Sequence, residues 1–296
     1  MDRVNLSSSL EFSRIIYGMW RLADDADTSI KHIDAKINSC LDQGITTFDQ
    51  AAVYGLYTSE SLFGQTLKAN PSLRNEMEIV TKCGIVVPSN KYPNIQVAHW
   101  DTSREHITAS VDASLTNMST DYIDLLLVHR PDPFMDYRET GRALDDIVSS
   151  GKVRAVGVSN FKPWDWNLLQ SVMKTQLVTN QIELSLAFPE PFTNGDLAFH
   201  QQNSTQVMAW SPLGGGSLMK NTGELGLVMD KVAAHHNVDR AAVAVAWILA
   251  HPANIIPVMG TNNLDRITKI SDALKVKVDR DTWFLLYTAA LGRDIP

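Results

Sequence analysis

Four side chains in this sequence are of the types that transfer or stabilise protons, and each stands at or shortly after the end of an apolar segment. They are Asp49, Tyr54, Lys82 and His129. A tyrosine has an ordinary pKa of about 10, and a nearby ammonium lowers that pKa because it favours the phenolate. A carboxylate beside the lysine would keep the ammonium charged and fixed. The residue types therefore favour a general acid tuned by an ion pair, with the histidine able to polarise a substrate oxygen.

Eight short apolar segments must position these groups. Each is rich in Val, Ile and Leu and lacks a full apolar/polar alternation, which is typical of strands buried on both faces. The predicted strands are residues 15–17, 46–48, 78–81, 123–128, 153–158, 178–182, 206–209 and 255–258. Eight strands, each followed by a helical stretch, match an α/β fold of the (β/α)8 TIM barrel type. A short N-terminal β-hairpin, residues 3–6 with 10–12, could cover the barrel floor.

Segments of helical periodicity lie between the predicted strands, with apolar residues at spacings of three and four. The first of them stops at Gly44, and another is entered through Thr102 or Ser103. Two connections are longer than normal loops, residues 84–101 after the third strand and 188–196 after the sixth. Long loops on a barrel usually carry function, so we expect them to border the site.

The composition limits the classes of function. The chain has 296 residues, of which 44% are hydrophobic and 20% charged, so a large core can form. No linker rich in Pro, Gly or Ser divides it, and we expect one barrel domain over residues 1–296. The net charge is −7, from 26 basic and 33 acidic residues. This charge disfavours a nucleic-acid partner or an anionic membrane, although a local basic pocket for a phosphate stays possible.

The remaining composition points to a reducing compartment. Cys40 and Cys83 are the two cysteines, so no disulfide framework is expected. The first residues carry no apolar signal region, and no apolar run reaches the ~18 residues of a membrane span. His235 and His236 are neighbours that point to different faces of a helix, so no metal site is expected. The sequence predicts a soluble cytoplasmic protein.

Three neighbouring predicted strands deliver Asp49, Lys82 and His129 to the rim where such barrels keep their catalytic groups, with Tyr54 one loop away. This set resembles the catalytic tetrad of the aldo-keto reductase superfamily. Residues 48–55, Phe-Asp-Gln-Ala-Ala-Val-Tyr-Gly, and residues 151–160, Gly-Lys-Val-Arg-Ala-Val-Gly-Val-Ser-Asn, look like family signatures. The resemblance implies NADPH-dependent reduction of aldehydes or ketones to alcohols. Tyr54 would be the general acid and Lys82 its activator. Asp49 would be the partner of the lysine, and His129 would orient the substrate.

The cofactor contacts are implied by the same resemblance. The sequence has neither a Gly-x-Gly-x-x-Gly turn nor a Gly-Lys-Ser/Thr loop, but in this family NADP(H) lies extended across the barrel top. Polar side chains would hold the carboxamide, a tryptophan face the nicotinamide, glycine N–H groups the pyrophosphate, and an arginine the 2′-phosphate. The expected contacts are Gly18, Met19, Trp20, Ser159, Asn160, Gln181, Trp210, Ser211, Leu213, Gly214, Gly215, Gly260, Thr261, Asn262 and Arg266. Positive charge at Arg266 and Lys269 favours NADP over NAD.

We expect a small-molecule carbonyl substrate in a pocket formed by Trp20, Trp100 and His129, in a monomer or weak homo-oligomer. The last predicted helix, residues 281–291, leaves little tail to close over the substrate, so the pocket is expected to be open. Two alternatives remain at this stage. A Schiff-base aldolase would also use Lys82 but needs it neutral, which Asp49 opposes. A cofactor-binding regulatory subunit would bind NADPH with little turnover.

Overall fold

Strands and helices alternate along residues 1–295, which are the residues that the computed structural model describes. The strands are β1 (Arg3–Ser7), β2 (Leu10–Ser13), β3 (Ile16–Gly18), β4 (Thr47–Asp49), β5 (Glu78–Cys83), β6 (Ile85–Val86), β7 (His99–Trp100), β8 (Ile123–Val128), β9 (Val153–Ser159), β10 (Leu177–Glu183), β11 (Gln206–Trp210) and β12 (Ile256–Met259). The α-helices are α1 (Ile30–Leu41), α2 (Ser59–Ala69), α3 (Arg104–Asn117), α4 (Tyr137–Ser149), α5 (Pro163–Gln170), α6 (Asp196–Gln202), α7 (Glu224–His236), α8 (Arg240–Leu249), α9 (Leu264–Ile267) and α10 (Arg280–Leu291).

Eight of the strands close into a parallel barrel in the order β3-β4-β5-β8-β9-β10-β11-β12. The predicted (β/α)8 TIM barrel is confirmed, and each predicted barrel strand is present with ends that differ by at most two residues. Strand β5 shows why the ends differ. Lys82 pairs with Leu127 and Cys83 with Val128, so the ladder continues past the apolar run that marked the strand in the sequence.

The barrel interior is apolar below its carboxyl-end rim. The buried cluster there includes Ile16, Val80, Leu125, Leu127, Met208, Ile256 and Val258. Strands β1 and β2 pair antiparallel, which confirms the predicted hairpin, and Leu10 and Phe12 of the hairpin join the same cluster. The hairpin therefore closes the floor, and side chains fill the lower interior. Asp49, Lys82 and Gln181 lie at the opposite, carboxyl end of the strands.

The side chains of strand β10 change the side of the sheet that they face part-way along the strand. Its register with β9 shifts between Leu177 and Asn180, as at a β-bulge. Val178 belongs to the interior cluster, whereas the Asn180 amide reaches outward to His200 of α6 at 3.1 Å. Because side chains alternate along a strand, Gln181 and Glu183 then face the barrel interior. This reversal brings two polar residues of β10 to the rim.

The long connection after β5 contains structure that the sequence did not predict. Ile85 and Val86 pair antiparallel with Trp100 and His99. Each of these two strands has only two residues, and both residues of β7 are exposed, so the sequence shows no readable alternation there. At the end of this connection Ser103, one of the two predicted caps, accepts a hydrogen bond from the His106 N–H at the start of α3. No helix within residues 1–295 has both the length and the apolar character to cross a bilayer.

Candidate active site

Each barrel strand places one residue, at its carboxyl end or directly after it, in a ring at the rim of the barrel. In barrel order these residues are Gly18, Asp49, Lys82, His129, Ser159, Gln181, Trp210 and Gly260. Several follow a residue of the interior cluster by two positions, as Lys82 follows Val80 and Trp210 follows Met208. Strand alternation therefore turns them toward the barrel axis. All eight were expected site residues. The barrel therefore brings members of the predicted catalytic set and of the predicted cofactor contacts to one rim.

The Lys82 ammonium is the centre of this ring. It is buried and donates to Oδ2 of Asp49 at 2.7 Å, to the Gln50 carbonyl at 2.9 Å and to the Tyr54 hydroxyl at 3.0 Å. Three acceptors use all three of its N–H groups. The predicted pairing of Lys82 with Asp49 and Tyr54 is therefore present in the structure. The sequence did not identify the Gln50 carbonyl, which only the fold could bring to this position.

Burial and charge have opposite effects on the two proton-holding groups. Burial alone would lower the pKa of Lys82, but Asp49 and Tyr54 outweigh it, so that pKa is raised. Burial raises the pKa of Tyr54, and the lowering effect of Lys82 does not compensate for it. The net direction for Tyr54 is opposite to the lowering expected from the ammonium alone. Both groups are therefore protonated at neutral pH.

His129 stands next to the tyrosine as a neutral imidazole. Its ring centroid lies 5.9 Å from that of Tyr54, in an edge-to-face arrangement. Burial, together with the positive charges of Lys82 and Arg130, holds the pKa of His129 well below its ordinary value. Its Nδ1 is buried and has no hydrogen-bond partner among residues 1–295. A neutral ring with one N–H can donate to a substrate oxygen without becoming charged.

Two glutamines support the ion pair from either side. The side-chain amide of Gln181 donates to Oδ1 of Asp49 at 3.0 Å, so both carboxylate oxygens are engaged. The Gln50 side chain is held by Ser59, whose hydroxyl donates to its Oε1 at 2.9 Å, and by the Met19 sulfur at 3.0 Å from its Nε2. These bonds fix Asp49 and the Gln50 carbonyl, and through them the lysine. Neither Gln50 nor Ser59 was an expected site residue.

The rim beyond His129 is held by a chain of side-chain hydrogen bonds. The Trp210 indole N–H donates to Oδ1 of Asn160 at 2.9 Å. The Asn160 amide donates to the Ser159 hydroxyl at 2.8 Å and to the His129 carbonyl at 3.3 Å, and Ser159 donates to the Gln181 carbonyl at 2.8 Å. Asn160 has φ +63°, a left-handed conformation that asparagine tolerates. This chain fixes the plane of the Trp210 ring.

The connection after β11 exposes backbone. Ser211 has φ +55°, and Gly214, Gly215 and Gly216 have φ values of +56°, +63° and +97°. A Cβ placed on Gly215 or Gly216 would meet no atom within 4 Å, so their backbone faces open space. Leu213 is half-buried beside them. Glycine allows this conformation and lets a ligand approach the N–H groups.

The connection after β12 is tied to the first loop of the barrel. Tyr17 donates to the Thr261 carbonyl at 2.7 Å. Lys36 of α1 is fully buried, pairs with Asp25 and also donates to Oδ1 of Asn262 at 3.2 Å. The Asn262 amide donates to the Arg21 carbonyl. The expected contact Asn262 is therefore hydrogen-bonded within the protein, and the cation that holds it is Lys36, which was not among the expected site residues.

The outer parts of the expected site differ in exposure. Met19 is buried, whereas Trp20 is 59% exposed and Trp100 is 42% exposed. Arg266 is exposed in the short helix α9 and makes no ion pair with another residue of the range 1–295. A close approach limits Gly18, because a Cβ there would lie 2.9 Å from a methyl of Val258. Exposed tryptophans and a free arginine at one rim suit binding of a ligand with both aromatic and anionic parts.

Comparison with known proteins identifies the family. The sequence model of the Aldo/keto reductase family matches residues 14–286. The chain belongs to the aldo-keto reductase family. It is therefore an oxidoreductase, its cofactor is NADP(H), and its substrates are small-molecule carbonyls. The family resemblance seen in residues 48–55 and 151–160 is confirmed.

Three individual proteins show how close the similarity is. A 6-dehydroglucose reductase of Agrobacterium fabrum (strain C58) is 57% identical over 296 residues, which cover 100% of both chains. A 6-dehydroglucose reductase of Novosphingobium aromaticivorans is 37% identical and covers 98% of this chain and 95% of its own length. The crystal structure of an aldo/keto reductase from Klebsiella pneumoniae in complex with NADP and acetate has a TM-score of 0.78 at 23% identity, over 93% of this chain and 90% of that chain. This last likeness shows a shared fold.

Proposed function

We propose that this aldo-keto reductase reduces an aldehyde or ketone to the alcohol with NADPH, and that Tyr54 gives the proton to the nascent alkoxide. The observation that carries the proposal is the 3.0 Å hydrogen bond from the Lys82 ammonium to the Tyr54 hydroxyl, with Asp49 held on the same ammonium at 2.7 Å. A buried cation beside a phenol favours loss of the phenol proton during the reaction. The arrangement is thus suited to an acid whose conjugate base must be stabilised.

The proton step follows from the charges on these groups. Tyr54 is protonated at rest because burial raises its pKa. When it gives its proton to the alkoxide, the phenolate is left 3.0 Å from a full positive charge that is already fixed by Asp49 and Gln50. The stabilisation appears only as negative charge develops on the tyrosine oxygen, which is the condition for lowering a reaction barrier.

His129 would orient the carbonyl. As a neutral ring it can donate one hydrogen bond to the carbonyl oxygen, whose other lone pair faces Tyr54. Because its pKa is well below the ordinary value, the ring does not compete with Tyr54 as an acid at neutral pH. We therefore assign proton transfer to Tyr54 and positioning of the oxygen to His129.

The residues present fit NADPH. When bound, it supplies the hydride. The fixed plane of Trp210 would hold the nicotinamide ring, and Gln181, anchored through its amide nitrogen to Asp49, keeps its oxygen for the carboxamide. The open backbone at Gly215 and Gly216 would bind the pyrophosphate, and the exposed Arg266 the 2′-phosphate. The remaining expected contacts, among them Thr261 and Asn262, would line the same path.

The substrate that we propose is the aldehyde of a sugar. Two relatives that match nearly their whole length, at 57% and 37% identity, carry the name 6-dehydroglucose reductase. The test is NADPH consumption at 340 nm with 6-dehydroglucose and with a panel of simple aldehydes and ketones. We expect turnover with NADPH and formation of glucose from 6-dehydroglucose. Binding of NADPH without turnover of any carbonyl would instead support the regulatory-subunit alternative.

The aldolase alternative has a separate test. A Schiff base needs a neutral lysine, whereas the charges around Lys82 raise its pKa. We expect that borohydride treatment with an aldehyde leaves the mass of Lys82 peptides unchanged. A trapped adduct on Lys82 would refute the reductase assignment.

We further propose that the protein is cytoplasmic and a monomer or weak homo-oligomer. Sedimentation at several protein concentrations would test the oligomeric state.

A further inference from the structure

Two charged side chains at the mouth of the site have no role in the proton-transfer machinery. Arg130 follows His129 directly after β8, and Glu183 ends β10 two residues after Gln181. Both are half-buried. Gln181 points into the barrel toward Asp49, so strand alternation turns Glu183 to the same side, one step nearer the opening. The pair therefore stands directly outside the ring of rim residues.

Trp210 is a neighbour of both charged residues. The Arg130 guanidinium is 5.8 Å from the centre of the Trp210 ring, and Glu183 is paired with Trp210 across the β10–β11 ladder. Neither charged side chain makes a hydrogen bond or an ion pair with another side chain of residues 1–295. Partly buried charges usually have such partners. The five N–H donors of Arg130 and the carboxylate oxygens of Glu183 therefore remain available at the mouth of the site.

Their electrostatic influence agrees with this location. The positive charge of Arg130 contributes to the lowered pKa of His129 and partly offsets the rise in the pKa of Glu183 that burial causes. Burial raises the pKa of Glu183 by more than Arg130 lowers it. The guanidinium thus acts electrostatically on His129, which we assign to the carbonyl oxygen, and on the Glu183 carboxylate.

We propose that Arg130 and Glu183 form a subsite that binds the hydroxyl groups of a polyhydroxylated carbonyl substrate. The inference rests on the proposed reductase function and specifies what the rest of the substrate must look like. Vicinal hydroxyls both donate and accept hydrogen bonds, so they match a guanidinium fork on one side and a carboxylate on the other. An anionic substrate would match Arg130 but would be repelled by Glu183.

Exposed aromatic surface at the same rim of the barrel suits a sugar as well. Trp20 and Trp100 are exposed on the first and third connections of the barrel. The C–H face of a sugar can pack against such rings by dispersion while its hydroxyls reach charged groups at the edge. The polar pair and the tryptophans together favour a carbonyl compound with hydroxyls along its chain over a purely apolar aldehyde.

The test compares two six-carbon aldehydes, 6-dehydroglucose and hexanal, at saturating NADPH. We expect Arg130→Met and Glu183→Gln each to lower kcat/KM for 6-dehydroglucose by roughly 10- to 100-fold, since each removes hydrogen bonds to a charged group. We expect kcat/KM for hexanal to change by no more than about threefold, because no hydroxyl is lost. Arg130→Lys should recover part of the loss, since it keeps the charge without the planar fork.

Controls separate this subsite from general damage. Arg142 is exposed on α4, so Arg142→Met should leave both aldehydes unaffected. Equal losses for both aldehydes, or no loss for 6-dehydroglucose, would overturn the subsite. A gain for succinic semialdehyde on Glu183→Gln with no effect on 6-dehydroglucose would show an acid-binding site and would also overturn it. Failure of the reductase assignment is distinct, because wild-type protein would then oxidise no NADPH with any aldehyde. Glucose binding to the NADP⁺ complex, followed by tryptophan fluorescence, would still be expected to weaken in Arg130→Met.

Discussion

Replacing Asp49 by asparagine removes the charge that keeps a buried lysine charged. The side chains of Asp49 and Lys82 are 3% and 0% exposed and 2.7 Å apart. Removing one partner of a buried ion pair typically costs about 3–5 kcal/mol, because the other charge is left uncompensated. Asparagine keeps the volume and one acceptor, and the Gln50 carbonyl and Tyr54 hydroxyl still accept from Lys82. We therefore expect a loss of about 3 kcal/mol at pH 7, the lower end of that range.

The pH dependence of this loss gives the sharper prediction. In the wild type the pKa of Lys82 is raised in the folded state, so its stabilising effect is fully present below about 10.5 and is lost only at higher pH. Without Asp49, burial dominates and the folded-state pKa falls below the unfolded value. In Asp49→Asn the folded state then disfavours the charged form of Lys82. The free energy of unfolding of this variant should therefore rise as the pH increases from 7 toward 10.

Urea unfolding of both proteins at pH 7, 8.5 and 9.5 measures this difference. Asp112→Asn is the matched control, because Asp112 pairs with Lys152 at an exposed site and such pairs contribute about 0–1 kcal/mol. The reasoning would be refuted if Asp49→Asn were as stable as the control at pH 7. It would equally be refuted if the stability deficit of Asp49→Asn did not shrink with rising pH.

Two further predictions concern His129 and Arg266. Because the pKa of His129 is held well below 6.5, kcat/KM of the wild type should stay flat as the pH falls from 7.5 to 5.5, and an inflection near 6.5 in a pH–rate profile would contradict a neutral His129. Arg266→Ala should raise KM for NADPH by roughly tenfold, through loss of a charged hydrogen bond, and leave KM for NADH unchanged. Equal effects on the two cofactors in initial-rate assays would mean that Arg266 does not contact the 2′-phosphate.

The sequence predicted the barrel and its rim because the barrel strands are marked by apolar runs that end in polar residues. Asp49, Lys82 and His129 each follow such a run, and parallel strands bring their ends to one rim. The burial of Lys36 also has a readable signal in the sequence. This lysine stands in the buried stripe of α1 with Ile33, Ile37 and Cys40, where a charge needs a partner.

Other features depend on tertiary structure, and the pattern of residue types alone does not predict them; Gln181 was expected only through the family resemblance. Alternation from Val178 would turn Asn180 inward, and the register shift in β10 turns Gln181 and Glu183 inward instead. The pKa of Tyr54 is a second example. The neighbouring Lys82 was predicted. The effect of burial on the pKa of Tyr54, which is larger than the effect of Lys82, depends on how the residues around the site pack. The spacing of residues in the sequence can predict which side chains lie close together. The net direction of a pKa shift also depends on burial, which only the folded structure gives.

Tyr54→Phe tests the central claim most directly, because it removes one hydroxyl and keeps the ring that packs against His129. The measurement is the single-turnover rate of 6-dehydroglucose reduction on enzyme saturated with NADPH, with NADPH affinity followed in parallel. We expect the rate to fall by roughly 100-fold or more, the usual contribution of a general acid, and the Kd of NADPH to change by less than about threefold. Full single-turnover activity in Tyr54→Phe would contradict the assignment of Tyr54 as the proton donor.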